Sequence, residues 1–327
     1  MTTLPIVGVD LAKNKFDFAL LQGNRAIHDV LSNDAASAQA LHAWLTVHHI
    51  EQAHICMEAT GTYGDELAAG LHALGHRISI LNPAVLKAFR QSTLTRTKND
   101  RVDAVLLARY CAVHQPEPWT PPAPEIRELQ ALVRRLENLQ QMRQQEHNRL
   151  TSGERSALVT SSISTIVQAL DTEIEHLTQL IHDHIQRHPH LREQHDLLKT
   201  IPGIGDKTAT TILAECGDLR TYPSARELAA YAGLTPKEFR SGSSVNGKPR
   251  LSKIGSARLR QALYFPAISA KRYNPIIQAF CDRLLLRGKH TMTVIGAAMR
   301  KLLHLAYGVV KSGKPFNPNH CAEQVIA

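Results

Sequence analysis

The stretch "PIVGVDL", residues 5–11, has the pattern of a short apolar strand that ends in a carboxylate. Residues 14–32, "NKFDFALLQGNRAIHDVLS", continue with alternating apolar positions and a Gly-Asn turn. Two more short apolar strands are predicted in "AHICMEAT" (53–60) and "HRISILNPA" (76–84), with helical patterns near 36–49 and after Gly61. Strands that alternate with helices predict an α/β domain, whose ligands commonly lie beyond the carboxyl ends of its strands.

Four carboxylates occupy positions from which they can meet. Asp10 and Glu58 each end a predicted strand, and Asp100 and Asp103 share one face of a helix predicted from about Asp100 to Val113. Each acid alone is explained by helix capping or by a solvated strand end. Together they predict a divalent-cation site, because hard cations take oxygen ligands and can activate a nucleophile in phosphodiester transfer.

The composition is that of a globular protein with more than one domain. The chain has 327 residues, 43% of them apolar and 20% charged, and its length predicts two or three domains. No apolar run approaches the roughly 18 residues that a membrane span needs, and the N-terminus has no secretory pattern. We therefore expect a cytoplasmic protein without a membrane partner. Five scattered cysteines without a C-x-x-C pattern argue against disulfides and a cysteine zinc site.

Positive charge is concentrated in the C-terminal third. From Lys237 onward there are 16 Lys and Arg against 3 Asp and Glu, a net charge of +13, whereas residues 1–236 hold 22 against 26, or −4. A basic region of this kind is typical of a protein that binds the phosphates of a nucleic acid.

A proline-rich segment and two long helical patterns lie between these regions. "HQPEPWTPPAPE" (114–125) holds five prolines and predicts a linker. Apolar residues then recur every three or four positions in 126–142 and, after a serine-rich break at 152–164, again in 166–185. The pattern predicts two amphipathic helices, either a plain helical spacer or a coiled-coil arm that pairs with a second protomer in a homodimer or tetramer.

The segment "IPGIG", residues 201–205, separates two further helical patterns and resembles a helix-hairpin-helix. Glycines permit a tight turn, and exposed amides at a helix start can hold a phosphate. We expect Gly203, Gly205 and Lys207 to contact DNA; a purely structural turn is the alternative.

"EFRSGSSVNGKPRLSKIG", residues 238–255, mixes serines and glycines with cations. We expect a loop in which Arg240, Lys248, Arg250 and Lys253 hold phosphates. A neutral serine hydroxyl needs a base or a metal to attack phosphorus, and no His or Asp lies nearby in this segment. Chemistry alone does not rank Ser241, Ser243 and Ser244 as nucleophile, and a loop that only grips phosphates is the alternative.

Five blocks of the sequence together resemble the DEDD transposases of bacterial insertion sequences, the IS110 family. They are "GVDLAKNKFDFAL", "ICMEATGTYGDELA", "KNDRVDAVLLARYC", "IPGIGDKTATTILAECGD" and "LAAYAGLTPKEFRSGSSVNGKPRLSKIGSARLRQALY". The resemblance implies a RuvC-like, ribonuclease H-type domain over 1–115 with Asp10, Glu58, Asp100 and Asp103 as the DEDD set. It also implies a linker and coiled-coil arm over 116–195, and a mainly α-helical transposase domain with a helix-hairpin-helix over 196–327.

The same resemblance selects Ser241 as the serine of strand exchange. It further implies a non-coding bridge RNA that pairs with donor and target DNA. The resulting hypothesis is a composite centre, in which Mg²⁺ on the DEDD set polarises the scissile phosphate and helps to deprotonate Ser241. Two alternatives stay open: a metal-dependent junction nuclease that uses water, and a non-catalytic helix-hairpin-helix protein that only binds nucleic acid.

Overall fold

The structure is a computed structural model that describes residues 4–23, 25–58, 64–153, 156–241 and 245–319, giving only the backbone for 238–241 and 245–249. The chain divides into two compact units, Met1–Pro121 and Pro122–Ala327. The boundary falls within the proline-rich segment, while the division into three segments made from the sequence stays a prediction. In the part of the chain that the structure describes, no helix is both long and apolar enough to cross a membrane.

The first unit is built on a five-stranded mixed sheet in the order β3-β2-β1-β4-β5. Strands β1, β2 and β3 form an antiparallel meander, and β4 and β5 follow β1 in parallel. This mixed sheet with its helices fits a ribonuclease H-like fold. The elements are β1 Ile6–Leu11, β2 Lys15–Gln22, β3 Arg25–Ser32, α1 Ser37–Val47, β4 His54–Glu58, α2 Asp65–Ala73, β5 Arg77–Leu81, α3 Pro83–Ser92 and α4 Asp100–His114.

Strand β1 is central to this sheet because both of its faces are covered. Val7 and Val9 are fully buried in a core that includes residues of α1 and α2. Since side chains alternate along a strand, Gly8 and Asp10 point to the opposite face. There α4 packs so closely that a Cβ on Gly8 would lie 2.1 Å from the carbonyl oxygen of Ala104. The absence of a side chain at Gly8 thus lets α4 pack on the strand that carries Asp10.

The second unit is mainly helical, as the sequence predicts, and has one apolar core shared by most of its helices. It contains a single two-stranded sheet among the described residues. Its elements are α5 Pro124–Thr151, α6 Ala157–Arg187, α7 Pro189–Lys199, α8 Asp206–Cys216, a 3₁₀ turn Leu219–Thr221, α9 Ala225–Tyr231, β6 Pro236–Ser241, β7 Val245–Leu251, α10 Ala257–Ala262, α11 Tyr264–Tyr273, α12 Pro275–Leu286 and α13 Thr291–Ser312.

Helices α5 and α6 pack side by side in antiparallel directions. The His184 ring lies 2.8 Å from the Glu125 carbonyl at one end, and Arg143 forms an ion pair with Asp171 farther along. The serine-rich break predicted over 152–164 is wrong in extent, because α6 already begins at Ala157. Ser156 caps the helix by accepting a hydrogen bond from the Val159 amide.

The segment expected to be a loop around Ser241 is instead a β-hairpin. Strands β6 and β7 are antiparallel, with Pro236 opposite Leu251 at the base and Ser241 opposite Val245 at the outer end. A bulge between Lys237 and Phe239 interrupts the register. Pairing of the two strands satisfies backbone groups that a polar, glycine-rich loop would leave to solvent.

Candidate functional site

Strand register brings three carboxylates of the first unit together. Asp10 and Asp17 are directly opposite one another on β1 and β2. On the other side of β1, Val9 pairs with Met57 in parallel register, so Asp10 and Glu58 follow as neighbours on β1 and β4. Residues opposite one another on adjacent strands project to the same face of a sheet, so their charges interact.

Helix α4 adds the two remaining carboxylates from the face of Gly8. Asn99 caps this helix, because its side chain accepts a hydrogen bond of 2.8 Å from the Val102 amide. The helix cap is therefore Asn99 itself, and Asp100 and Asp103 lie in the first turn. Asp103 is buried, with 8% of its surface exposed. We name Asp10, Asp17, Glu58, Asp100 and Asp103 the carboxylate cluster.

Two cations neutralise part of this cluster. Lys15 Nζ lies 3.1 Å from Asp17 Oδ2 and 3.1 Å from Asp100 Oδ2. Arg90 of α3 forms an ion pair with Asp103. No ion pair is formed by Asp10 or Glu58 within the described ranges.

The surroundings of Asp10 strongly raise the pKa of its carboxyl group. Burial, and then the negative charges of Asp103, Asp100, Glu58 and Asp17, raise the pKa of Asp10 to about 7. A carboxylate that is hard to ionise among like charges is stabilised by a bound cation, and such a group is typical of a functional site.

Glu58 responds in the same direction. Burial and the charge of Asp103 raise the pKa of Glu58, and Arg90 and Lys98 oppose that shift. Asp10 and Glu58, which form no ion pair among the described residues, thus both have a raised pKa.

The donor chemistry of the cluster fits a hard divalent cation, since every member offers carboxylate oxygens. In the side-chain positions of the structure, no three His, Cys, Asp or Glu residues among those described lie close enough to hold one ion together. The assignment of Asp10, Glu58, Asp100 and Asp103 as metal ligands therefore stays a prediction.

Sequence analysis missed three members of this site. These are Asp17, Lys15 and Arg90, none of which the sequence patterns identify. The signal for Asp17 was available, because a short hairpin that pairs Leu11 with Phe16 necessarily places Asp17 opposite Asp10. Arg90 lies on a different helix, so only the packing of α3 and α4 reveals its contact with Asp103.

The hairpin in the second unit carries the predicted phosphate-binding residues. Arg240 pairs with Asn246 one step before Ser241, and Lys248 lies on β7, with only the backbone described at these positions. Arg250, near the base opposite Lys237, has an exposed side chain. The competing serines, Ser243 and Ser244, lie outside the described residues. The choice of Ser241 among the three serines stays a prediction.

The root of the hairpin is fixed to the helical core by backbone hydrogen bonds. Ser252 N donates to Thr235 O at 2.8 Å, and Lys253 N donates to Gly233 O at 3.1 Å. Arg260 Nη1 then donates to the carbonyl of Lys253 at 3.3 Å. Lys253 has a φ of 59°, a region that side chains other than glycine rarely adopt. These contacts hold a non-glycine residue in a left-handed conformation at the predicted phosphate-binding segment.

Packing explains one of the two glycines in the turn between α7 and α8. Gly203 has a φ of 105°, and a Cβ there would lie 2.6 Å from the Cβ of Ala270. Gly205 precedes α8, and Lys207 is exposed and donates to Gln140 Oε1 at 2.7 Å. Contact of Gly203, Gly205 and Lys207 with DNA stays a prediction.

An acidic side chain shares the start of α8. Asp206 forms an ion pair of 3.1 Å with Lys199 and occupies the first turn of the helix, where a carboxylate complements the dipole. A phosphate approaching this helix start would meet that negative charge.

Two transposase family models match this chain, one over its N-terminal part and one over its C-terminal part. Residues 7–153 match a family model described as a transposase, of the DEDD type of IS110 elements, and residues 195–282 match the model of the "Transposase IS116/IS110/IS902 family". The "Pilin gene-inverting protein" of Moraxella bovis is 36% identical over 322 residues, which cover 95% of this chain and 97% of the relative.

A second relative carries a transposase name over its whole length. The "Transposase for insertion sequence element IS1328" of Yersinia enterocolitica is 24% identical over 349 residues, covering 97% of this chain and 100% of the relative. The resemblance inferred from the sequence blocks is confirmed: the chain belongs to the IS116/IS110/IS902 family of transposases.

Proposed function

We propose that this protein is a DNA recombinase that moves its own insertion sequence by cutting and exchanging DNA strands through a covalent phosphoserine. The observation that carries the proposal is the carboxylate cluster, in which burial and neighbouring negative charges raise the pKa of Asp10 to about 7. A protein that only binds nucleic acid gains nothing from carboxylates placed together beside a phosphate backbone.

Asp10, Glu58, Asp100 and Asp103 would hold Mg²⁺. Divalent metal is the general requirement of DEDD domains of this kind, and when bound it would neutralise phosphate charge and lower the pKa of an attacking hydroxyl. Lys15 and Arg90 would release Asp100 and Asp103 when the DNA binds, because each cation could contact an incoming phosphate instead.

Ser241 would be the nucleophile. Its Oγ would form a bond to phosphorus and give its proton to water, while the bond from phosphorus to the leaving deoxyribose oxygen would break and that oxygen would take up a proton from water. Arg240, Lys248, Arg250 and Lys253 would hold the neighbouring phosphates and stabilise the charge that develops on them.

A denaturing gel of end-labelled DNA, incubated with the protein, Mg²⁺ and the RNA transcribed beside the gene, tests this step. Ser241→Ala should abolish both cleavage and the protein-DNA adduct while DNA still binds, because the attacking oxygen is gone and the cations remain. Ser243→Ala and Ser244→Ala are the matched controls. Adduct from Ser241→Ala would refute the assignment, and cleavage without adduct in the unmodified protein would identify a nuclease that uses water.

A second candidate function is the inversion of a DNA segment. It is favoured by the name and coverage of the Moraxella relatives, whose "Pilin gene-inverting protein" aligns with 95% of this chain. A plasmid that carries the element's two ends in inverted orientation, beside a separate target site, distinguishes the two outcomes. Inversion of the segment without capture of the target site would favour the second function.

Guidance by a bridge RNA would leave the choice of sites to base pairing, with the protein acting in the cytoplasm on chromosomal DNA. The basic third of the chain, net charge +13 from Lys237 onward, supports binding to phosphates without sequence preference. Purified protein freed of RNA should then show no preference between the element's ends and unrelated DNA. A clear preference under those conditions would contradict the proposal.

The antiparallel helices α5 and α6 would pair with the same helices of a second protomer. Four large apolar side chains on the half of the pair distal to Glu125 are exposed: Met142 at 47%, Leu158 at 85%, Val159 at 42% and Ile166 at 48%. Ile166→Glu should shift the mass measured by light scattering toward the monomer, because a charge would be buried at the contact. Thr165→Glu, at a neighbouring exposed position, is the control. An unchanged mass for Ile166→Glu would contradict the pairing of α5 and α6 with a second protomer.

A further inference from the structure

A cavity of about 600 Å³ lies where the β6–β7 hairpin meets α12 and α13. Its walls include the apolar side chains of Leu234, Leu251, Phe280, Met292 and Ala297. Phe280 is half-buried and Met292 is 54% exposed, so neither of these two lining residues is closed off from solvent. The volume lies within the roughly 300–1,000 Å³ typical of sites for small, compact ligands.

Four cations line the same cavity: Arg250, Lys253, Arg300 and Lys301. No carboxylate is among its lining residues, and none of the four has an ion pair with a carboxylate that the structure describes. Apolar walls with unneutralised cations favour a ligand that combines a flat apolar body with negative charge.

One residue that lines the cavity, His304, has a ring nitrogen without a hydrogen-bond partner among the described residues. The Nε2 of His304 is buried and has no hydrogen bond within the described part of the chain. Burial, followed by the charges of Arg300 and Lys301, lowers the pKa of His304. A neutral imidazole has one N–H donor and one acceptor nitrogen, so it can hydrogen-bond with the donor and acceptor groups on the edge of a base.

We propose that this cavity, the hairpin-root pocket, receives one unstacked nucleotide of the nucleic acid that the Ser241 hairpin holds. The base would lie against Phe280 and Met292 with a polar edge toward His304. The backbone phosphates that flank this nucleotide would lie on Arg300 and Lys301. The proposal rests on the nucleic-acid binding of the proposed function, and it is independent of which serine attacks.

The position of the pocket explains what such a site would do. Arg250 and Lys253 line it and also belong to the hairpin segment that leads to Ser241, so a nucleotide seated here would fix the register of the strand along the hairpin. Proteins pay for unstacking a base with contacts in a fitted pocket, and a single-stranded or mismatched base is taken most readily. The pocket would therefore position a strand at an unpaired nucleotide.

The test measures binding, by fluorescence anisotropy, of the full-length protein to a labelled single strand of about 12 nucleotides, within the site sizes of single-strand binders. DNA and RNA strands of one sequence are compared, each with an intact and an abasic version. Ala297→Phe fills the pocket, and Gly308→Phe is the matched control, since it adds the same side chain to α13 where a Cβ meets nothing within 4 Å.

Intact strands should bind Ala297→Phe about fivefold or more weakly than the unmodified protein, the lower range of what base stacking on proteins contributes. Abasic strands should bind both proteins equally, and Gly308→Phe should match the unmodified protein throughout. Whichever of DNA and RNA shows the larger loss is the strand that supplies the nucleotide.

Phe280→Leu provides a second measurement that does not overpack the cavity, and it should narrow the difference between intact and abasic strands in the same way. Lys301→Gln should weaken both kinds of strand, compared with Lys314→Gln at an exposed position outside the pocket. If neither Ala297→Phe nor Phe280→Leu narrows the intact-to-abasic difference, the pocket holds no base. If the unmodified protein binds no strand at all, the proposed function fails instead.

Discussion

Replacing Asp10 by Asn should stabilise the metal-free protein at neutral and alkaline pH while abolishing strand cleavage. Asp10 lies between Asp17 and Glu58 on neighbouring strands, and Asp100 and Asp103 approach it from α4. The amide of Asn has the size of the carboxyl group but no charge. The substitution therefore removes repulsion and the cost of burying a charge without creating a cavity.

The pKa of Asp10 gives the sign and the size of this effect. Below the ordinary pKa of 3.8, Asp10 binds a proton in both the folded and the unfolded chain. Between pH 3.8 and about 7 the folded chain keeps the proton and the unfolded chain has lost it, so the free energy of unfolding falls as the pH rises through this window. Above pH 7 Asp10 is ionised in the folded chain as well, and the loss of free energy of unfolding that its ionisation causes is complete.

Each pKa unit corresponds to about 1.4 kcal/mol, so the full shift would be about 4 kcal/mol. Asp10 is only partly buried, and solvent screens its interactions, so we expect about half of that, roughly 2 kcal/mol. At pH 8 in EDTA, Asp10→Asn should unfold with a free energy higher than the unmodified protein by this amount. At pH 4 the two proteins should be equal.

Urea denaturation followed by circular dichroism, at pH 4 and at pH 8, measures the difference. Glu51→Gln is the matched control, because it removes one negative charge from an exposed position of the same unit. Adding Mg²⁺ at pH 8 should stabilise the unmodified protein and close the gap, since a ligand that binds only the folded chain raises its stability by mass action. An Asn variant that is less stable than the unmodified protein in EDTA at pH 8, or a gap independent of pH, would refute the reasoning.

Two further substitutions test the fold and the basic hairpin. Gly8→Ala should lower the free energy of unfolding, measured in urea, by roughly 3 kcal/mol or more. The new Cβ would lie 2.1 Å from the carbonyl oxygen of Ala104, so the backbone must move. Unchanged stability would contradict this packing. Replacing Lys248, Arg250 and Lys253 together by Gln should reduce the slope of log affinity against log salt by roughly 2 to 3, and an unchanged slope would place these cations away from phosphates.

The N-terminal architecture could be predicted because each strand carries its own pattern. The apolar run of β1 and the alternation of β2 fix strand identity locally, and the helix predicted from about Asp100 agrees with α4, which begins at that residue. The extent of α6 was harder to predict, because serines are compatible with both a helix and a break. The hairpin around Ser241 was missed, since a segment rich in Gly, Ser and Lys gives no periodic apolar signal, and its strands are defined by their pairing with each other.

The sequence by itself was enough to predict the family, an α/β first domain and four acids as candidate metal ligands, because these predictions depend on residue types and on short spacings along the chain. Tertiary structure alone decided that Arg90 neutralises Asp103, because this contact links two different helices. Tertiary structure also decided that the pKa of Asp10 is raised, because burial and the distances between charges depend on how α4 packs over Gly8. Charge is a property of a residue, whereas its pKa is a property of its surroundings.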